Sequence, residues 1–271
     1  MSPERSELLP AQPAASLSGG WLGPLGRYRP GFLRRDLAQG FKNCEHFYLP
    51  QWARLPHVVS PEERLLLGMD LAGKVVYDIG AHVGAYTLFF SRQVGSAGLV
   101  VAFEPQARSF ARLATNLKLN AIANVRIERA ALGAAREERT LFMLPWMRTT
   151  ASLATEARTP LRMRAGVCRV ERLDEMVRTL RLRPPDFIKL DVEGMEREVL
   201  AGAVDTLRRR RPDLLIEVHG VNRDQRERRV RALAAPLERL GYSIHHAESG
   251  RRVNSRVAAC AGGHLFARCE T

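Results

Sequence analysis

Cysteine is scarce in this chain of 271 residues, with thiols at Cys44, Cys168, Cys260 and Cys269. None of them forms a Cys-x-x-Cys pair, and none has the spacing of zinc ligands. The pattern argues against a disulfide-stapled scaffold and against a cysteine zinc site. We expect the cysteines to be reduced thiols that pack as small residues.

A long apolar segment is also missing. No apolar run approaches the roughly 18–20 residues that a membrane-spanning helix needs. Residues 1–7 lack the charged-then-apolar layout of a signal peptide. We therefore expect a cytoplasmic protein without a transmembrane segment.

Hydrophobic periodicity is absent from residues 1–30, which are rich in Pro, Gly, Ser and Ala and are expected to be disordered. Residues 31–58 carry aromatic side chains among polar ones, which fits a cap, a dimer contact or a packed arm. We assign 1–58 to a partly disordered leader and 59–271 to one folded domain. A homo-oligomer is left open.

Lysine is rare, so the net charge of +13 is carried almost entirely by arginine. The densest runs are Arg208 to Arg211, at the expected end of a helix, and Arg226 to Arg231, where acids are interleaved. Both fit solvated faces better than a nucleic-acid footprint, and we do not expect a nucleic-acid partner. The basic surface would still steer acidic acceptors or membranes.

One stretch has a strong functional pattern. Residues 74–79 read as a buried strand that runs into a turn with glycines at Gly80 and Gly84. A second apolar run, 99–103, ends in Glu104, twenty residues after Gly84. The order strand, glycine turn, helix, strand, acid is typical of α/β proteins that bind a nucleoside, whose ribose hydroxyls the acid accepts.

The spacing of the glycines narrows the cofactor. A dinucleotide turn is Gly-x-Gly-x-x-Gly, whereas this chain has Asp78-x-Gly80-x-x-x-Gly84 with His82 at the second glycine position. The pattern resembles motif I of methyltransferases that use S-adenosylmethionine (SAM). SAM has no phosphate, and its ammonium and carboxylate suit a carboxylate and backbone amides. An ordinary tight turn is the alternative.

Strands and helices alternate along the rest of the domain, which predicts a parallel sheet covered on both faces. A helix is expected from Pro61 to about Met69, and Pro236 is expected to kink or split the helix after strand five. The expected strands lie near 74–79, 99–104, 124–127, 186–191 and 214–218, with a short extra strand at 140–144 and a closing pair at 242–246 and 264–267.

Over roughly residues 60–267 the chain resembles the FkbM family of SAM-dependent methyltransferases. The most specific block is Ile188-Lys189-Leu190-Asp191-Val192-Glu193-Gly194. His82 departs from the family, which often has Asn there. Further matching segments are Val76 to Gly84, Phe103 to Pro105, Arg172 to Met176, Val199 to Ala203 and Ile216 to His219.

The resemblance implies an α/β fold with a Rossmann-like, seven-stranded class I methyltransferase sheet, mostly parallel with an antiparallel last strand. Residues 59–271 then form the methyltransferase domain, and S-adenosyl-L-methionine is the cofactor. Because ligands of open sheets bind beyond the carboxyl ends of the strands, the candidate cofactor-binding residues are Asp78, Gly80, Ala81, His82, Gly84, Glu104, Pro105 and Ala131.

The candidate catalytic residues are Asp191, Glu193 and His219. A hydroxyl acceptor needs a general base, and His219 is the natural candidate because an unperturbed histidine titrates near neutrality. A strand-end histidine bonded to backbone is the alternative for His219. Asp191 has three open roles, which are orienting SAM, acting as the base, or binding a divalent metal with Glu217. Glu193 has a second role open to it, as a helix cap. Two acids on neighbouring strands do not by themselves support a metal.

Oxygen is the favoured acceptor atom because strand four ends in Asp-Val-Glu-Gly rather than in the Asn/Asp-Pro-Pro pattern of amino-directed enzymes. We expect a hydroxyl on a sugar, a glycan or a secondary metabolite. Residues 145–166 are a candidate acceptor lid, with a surface loop as the alternative. The competing hypotheses are an NAD-linked oxidoreductase, which predicts glycine at position 82, and a non-catalytic or RNA-associated protein with the same fold.

Overall fold

The computed structural model describes residues 7–8, 61–143, 151–152, 163–220, 222–257 and 263–269. The predictions for the leader 1–58, apart from residues 7–8, therefore lie outside the described residues. So do Cys44, Cys260 and most of the candidate lid. Cys168 and Cys269 are free thiols, as expected. Among the described helices, none combines the length and apolarity of a bilayer-crossing segment.

The main sheet has the strand order β1-β4-β3-β2-β9-β10-β13-β11-β12. Its strands are β1 (Glu7–Leu8), β2 (Val75–Ile79), β3 (Leu99–Phe103), β4 (Val125–Glu128), β9 (Phe187–Leu190), β10 (Asp213–Val218), β11 (Tyr242–His246), β12 (Arg252–Val253) and β13 (Gly263–Cys269).

The sheet confirms the expected fold class. β4, β3, β2, β9 and β10 run parallel, while β13 is antiparallel to both of its neighbours, β10 and β11. The strand count is higher than seven because the two-residue strands β1 and β12 extend the edges. The chain order reverses between β2 and β9, which is where an open α/β sheet forms its binding crevice.

A second, smaller sheet was not expected from the sequence. It has the order β5-β8-β6-β7. The short extra strand predicted at 140–144 is the end of a seven-residue strand that pairs with a nine-residue one. Side chains alternate along the longer strand, with Cys168 and Val170 buried and Val167 exposed, so a period of two was present. Its strands are β5 (Ala131–Leu132), β6 (Glu137–Met143), β7 (Ala151–Ser152) and β8 (Met163–Glu171).

Seven helices lie in the described part of the chain. They are α1 (Pro61–Leu67), α2 (Ala85–Val94), α3 (Ala107–Leu119), α4 (Leu173–Thr179), α5 (Glu196–Gly202), α6 (Val204–Arg210) and α7 (Arg223–Arg239). Pro236 was expected to kink or split α7, and the structure contradicts the split because the helix is continuous through it. Proline lies in the last turn, and the buried face formed by Val230, Leu233 and Leu237 holds the helix on the sheet.

Both faces of the central sheet are covered. All five residues of β2 are buried, and alternate side chains enter different core clusters. Val75, Tyr77 and Ile79 pack in one cluster, whereas Val76 packs in the other with Phe90. This continuously buried strand is typical of a parallel sheet with two covered faces. The turn that follows β2 begins where this burial ends.

Candidate functional site

The turn after β2 is built on a close approach that only glycine permits. Gly80 has φ +86°, and a Cβ there would lie 1.7 Å from the carbonyl oxygen of Asp191 at the end of β9. The amides of Gly80 and Ala81 both donate to the carbonyl of Phe103 at 3.0 Å. The ends of β2, β3 and β9 are therefore held against one another at this turn.

His82 occupies a left-handed backbone position with φ +53°. Asn, Asp and His adopt this region more readily than other non-glycine residues, so a histidine can replace the family's asparagine here. Its backbone amide donates to Oε2 of Glu104 at 2.8 Å. Gly84, with φ +93°, completes the turn where a Cβ would meet Cδ1 of Leu113 at 2.4 Å.

Glu104 is held in a fixed orientation at the end of β3. Its Oε1 accepts from the amide of Gln106 at 2.8 Å, while Oε2 accepts from His82. The side chain is buried, and burial raises the pKa of its carboxyl to about 7 although the two backbone donors act to lower it. Each oxygen keeps lone-pair capacity for a further donor.

Asp78 lies behind the turn and is fully buried. Its Oδ2 accepts from the hydroxyl of Thr87 at 2.6 Å, and its Oδ1 lies 3.9 Å from Nζ of Lys189. Burial raises the pKa of Asp78 and the Lys189 charge opposes that shift. Asp78 thus supports the turn from below and does not line the cavity.

Lys189 is a buried ammonium that sequence reasoning did not single out. Its Nζ lies 3.1 Å from Oδ2 of Asp191 and 4.5 Å from the centre of the Tyr86 ring. Burial opposes its charge, but the carboxylates of Asp191 and Asp78 outweigh burial and raise the pKa of Lys189. The signal was its place in β9, where a charged residue stands between apolar ones.

A cavity opens at the carboxyl ends of β2, β3 and β9. Of the proposed cofactor residues, Gly80, His82, Glu104, Pro105 and Ala131 line it. Asp78, Ala81 and Gly84 do not line it, although all three shape the turn beside it. Asp191 and Glu193 also line the cavity, together with the apolar residues Ile79, Phe103, Ala130, Leu132, Leu141, Val192 and Met195.

A cluster of acids surrounds the imidazole of His219 at the ends of β9 and β10. Its Nε2 lies 3.6 Å from Oδ1 of Asp191, 3.4 Å from Oε2 of Glu193 and 3.6 Å from Oε1 of Glu217. We call Asp191, Glu193, Glu217 and His219 the acidic cluster. It contains all three proposed catalytic residues, which come from two separate segments of the chain.

Glu196 holds the other side of this imidazole. Its Oε1 lies 2.8 Å from Nδ1 of His219 and accepts from the amide of Gly194 at 2.9 Å. Sequence reasoning missed Glu196, whose position in the first turn of α5 gave no sign of a long-range partner. Burial lowers the basicity of His219, but Glu196, Glu193 and Asp191 outweigh burial and raise its pKa to about 9. At neutral pH this ring is therefore cationic and not ready to act as a base.

The two carboxylates of the acidic cluster that line the cavity differ in their electrostatics. Burial would raise the pKa of Asp191, but Lys189 and His219 hold that pKa below its usual range. Burial raises the pKa of Glu193, which His219 opposes. Glu193 also adopts a left-handed backbone with φ +52°, a strained conformation of the kind found at functional sites.

A second group of acids and histidine lies next to the acidic cluster. His264 pairs with Glu248 through Nδ1 at 2.8 Å, and its Nε2 lies 3.8 Å from Oε2 of Glu217. Glu62, Glu248 and His264 are close enough to share a metal ion, as are Asp191, Glu217 and His219. Glu62 lies in α1, so that helix contributes to the neighbouring group.

Comparison with known proteins gives a family match over most of the domain. The model of the methyltransferase FkbM domain matches residues 78–244. That range contains the glycine turn, Glu104 and the whole acidic cluster. It ends within β11, so His264 lies outside it.

Two curated proteins are similar in sequence. The AMB antimetabolite synthetase AmbE of Pseudomonas aeruginosa is 28% identical over 203 residues, which cover 63% of this chain and 10% of that protein. Methyltransferase 1 of Beauveria bassiana is 25% identical over 146 residues, which cover 48% of this chain and 58% of that protein. The chain thus spans a tenth of one relative and just over half of the other.

Among solved structures, the chain is similar to methyltransferase FkbM from Methylobacillus flagellatus. The two are 16% identical with a TM-score of 0.49, and the match covers 74% of this chain and 45% of that one.

Proposed function

The chain belongs to the FkbM methyltransferase family, and from that premise we propose that it transfers the methyl group of SAM to a hydroxyl oxygen. The observation that carries the proposal is Glu104, a carboxylate with a preset orientation beside the glycine turn. Its two oxygens suit the two ribose hydroxyls of a nucleoside. The acidic cluster lies across the same cavity, on the side where an acceptor would enter.

The residues around the cavity fit SAM. Gly80 keeps the space between β2 and β9 clear, since a side chain there would collide with Asp191. The apolar walls formed by Phe103, Leu132 and Leu141 suit the adenine ring. SAM supplies an electrophilic methyl group when it is bound.

The protein's part in methyl transfer is positioning and proton removal. The acceptor oxygen must lie in line with the methyl group while water is excluded. An alcohol is a weak acid, but its proton becomes acidic as the new carbon–oxygen bond forms, so a carboxylate can accept it at that stage. Glu193, which lines the cavity and is part of the acidic cluster, is the carboxylate we assign to this step.

His219 has a different part in this mechanism. In its cationic form it cannot take the proton, so we assign it to positioning Glu193 and Asp191. This role differs from the expectation that His219 would be the base. The carboxylates of Glu196 and of the acidic cluster surround its ring and stabilise the cation. Asp191→Asn and His219→Ala should both lower turnover, and near-normal turnover in both with SAM bound would contradict these roles.

Calorimetric titration with SAM and, separately, with NAD tests the cofactor. We expect micromolar binding of SAM, no binding of NAD, and loss of SAM binding in Glu104→Ala. A folded protein that does not bind SAM would overturn the proposal.

The acceptor class is tested with methyl-labelled SAM and panels of matched alcohols and amines. Sugars, glycans and hydroxylated metabolites form the first panel, and their amino analogues form the second. Label recovered as an ether supports oxygen transfer. Label recovered only on nitrogen would keep the methyltransferase reaction and overturn the choice of acceptor atom.

A further inference from the structure

The imidazole of His219 has one nitrogen committed and one directed at carboxylates. Nδ1 lies 2.8 Å from Glu196, whose side chain is 4% exposed. Because that contact fixes the ring, Nε2 must face Asp191, Glu193 and Glu217. A histidine that binds a metal usually has this arrangement, with a carboxylate on the nitrogen away from the ion.

The distances around Nε2 are too long for good hydrogen bonds. The three carboxylate oxygens lie at 3.4–3.6 Å, whereas N–H···O bonds cluster at about 2.7–3.2 Å. A single N–H also cannot serve three acceptors. Ionic attraction to the ring and a contact between Glu217 and Asp191 hold the carboxylates here, so that one ring nitrogen and several oxygens lie within reach of a single ion.

A metal ion fits this spacing. Two ligand atoms that each lie about 2.1 Å from an ion are about 3.0 Å apart at a right angle and about 3.4 Å apart at the tetrahedral angle. The ligand atoms of Asp191, Glu217 and His219 all lie within 4.8 Å of one another. Small side-chain movements would bring them to coordination distance, and the ion would replace the proton that Nε2 of the cationic ring releases to solvent.

The two oxygens of Asp191 face different groups, so Oδ1 can bind an ion while Oδ2 keeps its contact with Lys189. Oδ2 contacts Lys189 at 3.1 Å, and Oδ1 faces His219. The neighbouring group differs, because His264 and Glu248 are already joined by a 2.8 Å contact. An ordinary histidine–carboxylate pair explains that second group, so we do not assign an ion to it.

We propose that Asp191, Glu217 and His219 bind one divalent transition-metal ion of the Mn²⁺ or Zn²⁺ type. Imidazole together with carboxylates suits these ions better than Mg²⁺, which prefers oxygen ligands alone. Asp191 lines the cavity, so the ion would lie at its acceptor side. Its role there rests on the proposed function: it would bind the acceptor hydroxyl and lower the pKa of that group, while Glu193 takes the proton.

The test is direct titration of EDTA-treated protein with Mn²⁺ alone, with free Mn²⁺ followed by electron paramagnetic resonance, and with Zn²⁺ by calorimetry. Wild-type protein is expected to bind one ion with micromolar affinity. Glu217→Gln and His219→Gln should each weaken that site at least tenfold. Glu217 is 38% exposed, so its variant should fold, and thermal unfolding checks this for both.

Glu62→Gln is the matched control, because it makes the same chemical change in the neighbouring group. It should bind the ion as the wild type does. The proposal is overturned if wild-type protein binds neither ion below millimolar concentration, if both cluster variants bind normally, or if only Glu62→Gln loses the site. SAM titration of the same samples separates the two proposals: SAM binding without metal binding rejects only the metal site.

Discussion

The two sides of the cavity are made in different ways. On the cofactor side, at the ends of β2 and β3, the geometry is set by backbone. Glycines at positive φ and amide donors hold a single carboxylate, that of Glu104. On the proposed acceptor side, at the ends of β9 and β10, the geometry is set by titratable side chains around His219.

This difference has a physical consequence. Backbone geometry is stiff and insensitive to pH, so the turn can present the same surface to every SAM molecule. The acidic cluster depends on its charges, so protons, metal ions and acceptors can change it. Lys189 links the two sides, since it lies between Asp78 under the turn and Asp191 in the cluster.

The largest expected effect comes from breaking the backbone side. Gly80→Ala places a methyl group 1.7 Å from the Asp191 carbonyl and strains a positive φ. We expect the free energy of unfolding to fall by more than about 4 kcal/mol, measured by urea denaturation. Gly73→Ala is the control: it shares the positive φ, has open space around its Cβ and should cost about 1 kcal/mol. Equal losses would contradict the close-approach argument.

The next largest effect is expected from removing Lys189, which connects the two sides of the cavity. Lys189→Met leaves the carboxylates of Asp78 and Asp191 without their buried partner, and we expect a loss of about 3 kcal/mol at pH 7. The loss should shrink as pH falls, because the unpaired carboxyls can then take up protons. Lys118→Met, at an exposed position, should stay within about 0.5 kcal/mol of wild type. A pH-independent loss would argue against carboxylate burial as the cause.

A smaller effect separates the two sides by pH. Ribose hydroxyls donate to the ionised form of Glu104, whose pKa is raised to about 7. That carboxyl is about 90% ionised at pH 8 and about 10% ionised at pH 6. We therefore expect the dissociation constant of SAM to rise about tenfold from pH 8 to pH 6, measured by calorimetry. Glu104→Gln should bind weakly with a flat profile, and a flat wild-type profile would refute the assignment.

The smallest effect is expected for Glu217→Gln, which tests whether the two sides of the cavity act separately. Glu217 belongs to the acidic cluster but does not line the cavity. Glu217→Gln should leave the dissociation constant of SAM within about twofold of wild type, while it weakens the metal site. A tenfold loss of SAM affinity in this variant would mean that the two sides are not separable.

Much of the fold was predictable because its signals are local. The helix expected from Pro61 to about Met69 is α1, which ends two residues earlier at Leu67. The strand expected at 186–191 is β9 with one residue trimmed from each end. Two buried faces make parallel strands continuously apolar, so they are visible without tertiary information.

Other features depend on partners far away in sequence. The second sheet was missed because the period of two along β8 shows in its burial and not in its residue types, and its partner β6 begins with charged residues. The split expected at Pro236 did not occur, since the helix-breaking tendency of proline was considered without the buried face that holds α7 on the sheet. The contacts of Lys189 with Asp78 and of His219 with Glu196 span distant segments, and no local pattern encodes them.

Sequence alone was enough to predict the class of fold and the edge of the sheet that holds the cavity, and it led to the glycine turn and Glu104 as the proposed cofactor site. Glycine turns and buried strands are local consequences of sterics and hydrophobicity, so a linear pattern carries them. The charges on the proposed acceptor side could be read only from the folded chain. Whether His219 is neutral or cationic, and whether its neighbours can hold an ion, depends on distances between charges that β9 and β10 bring together.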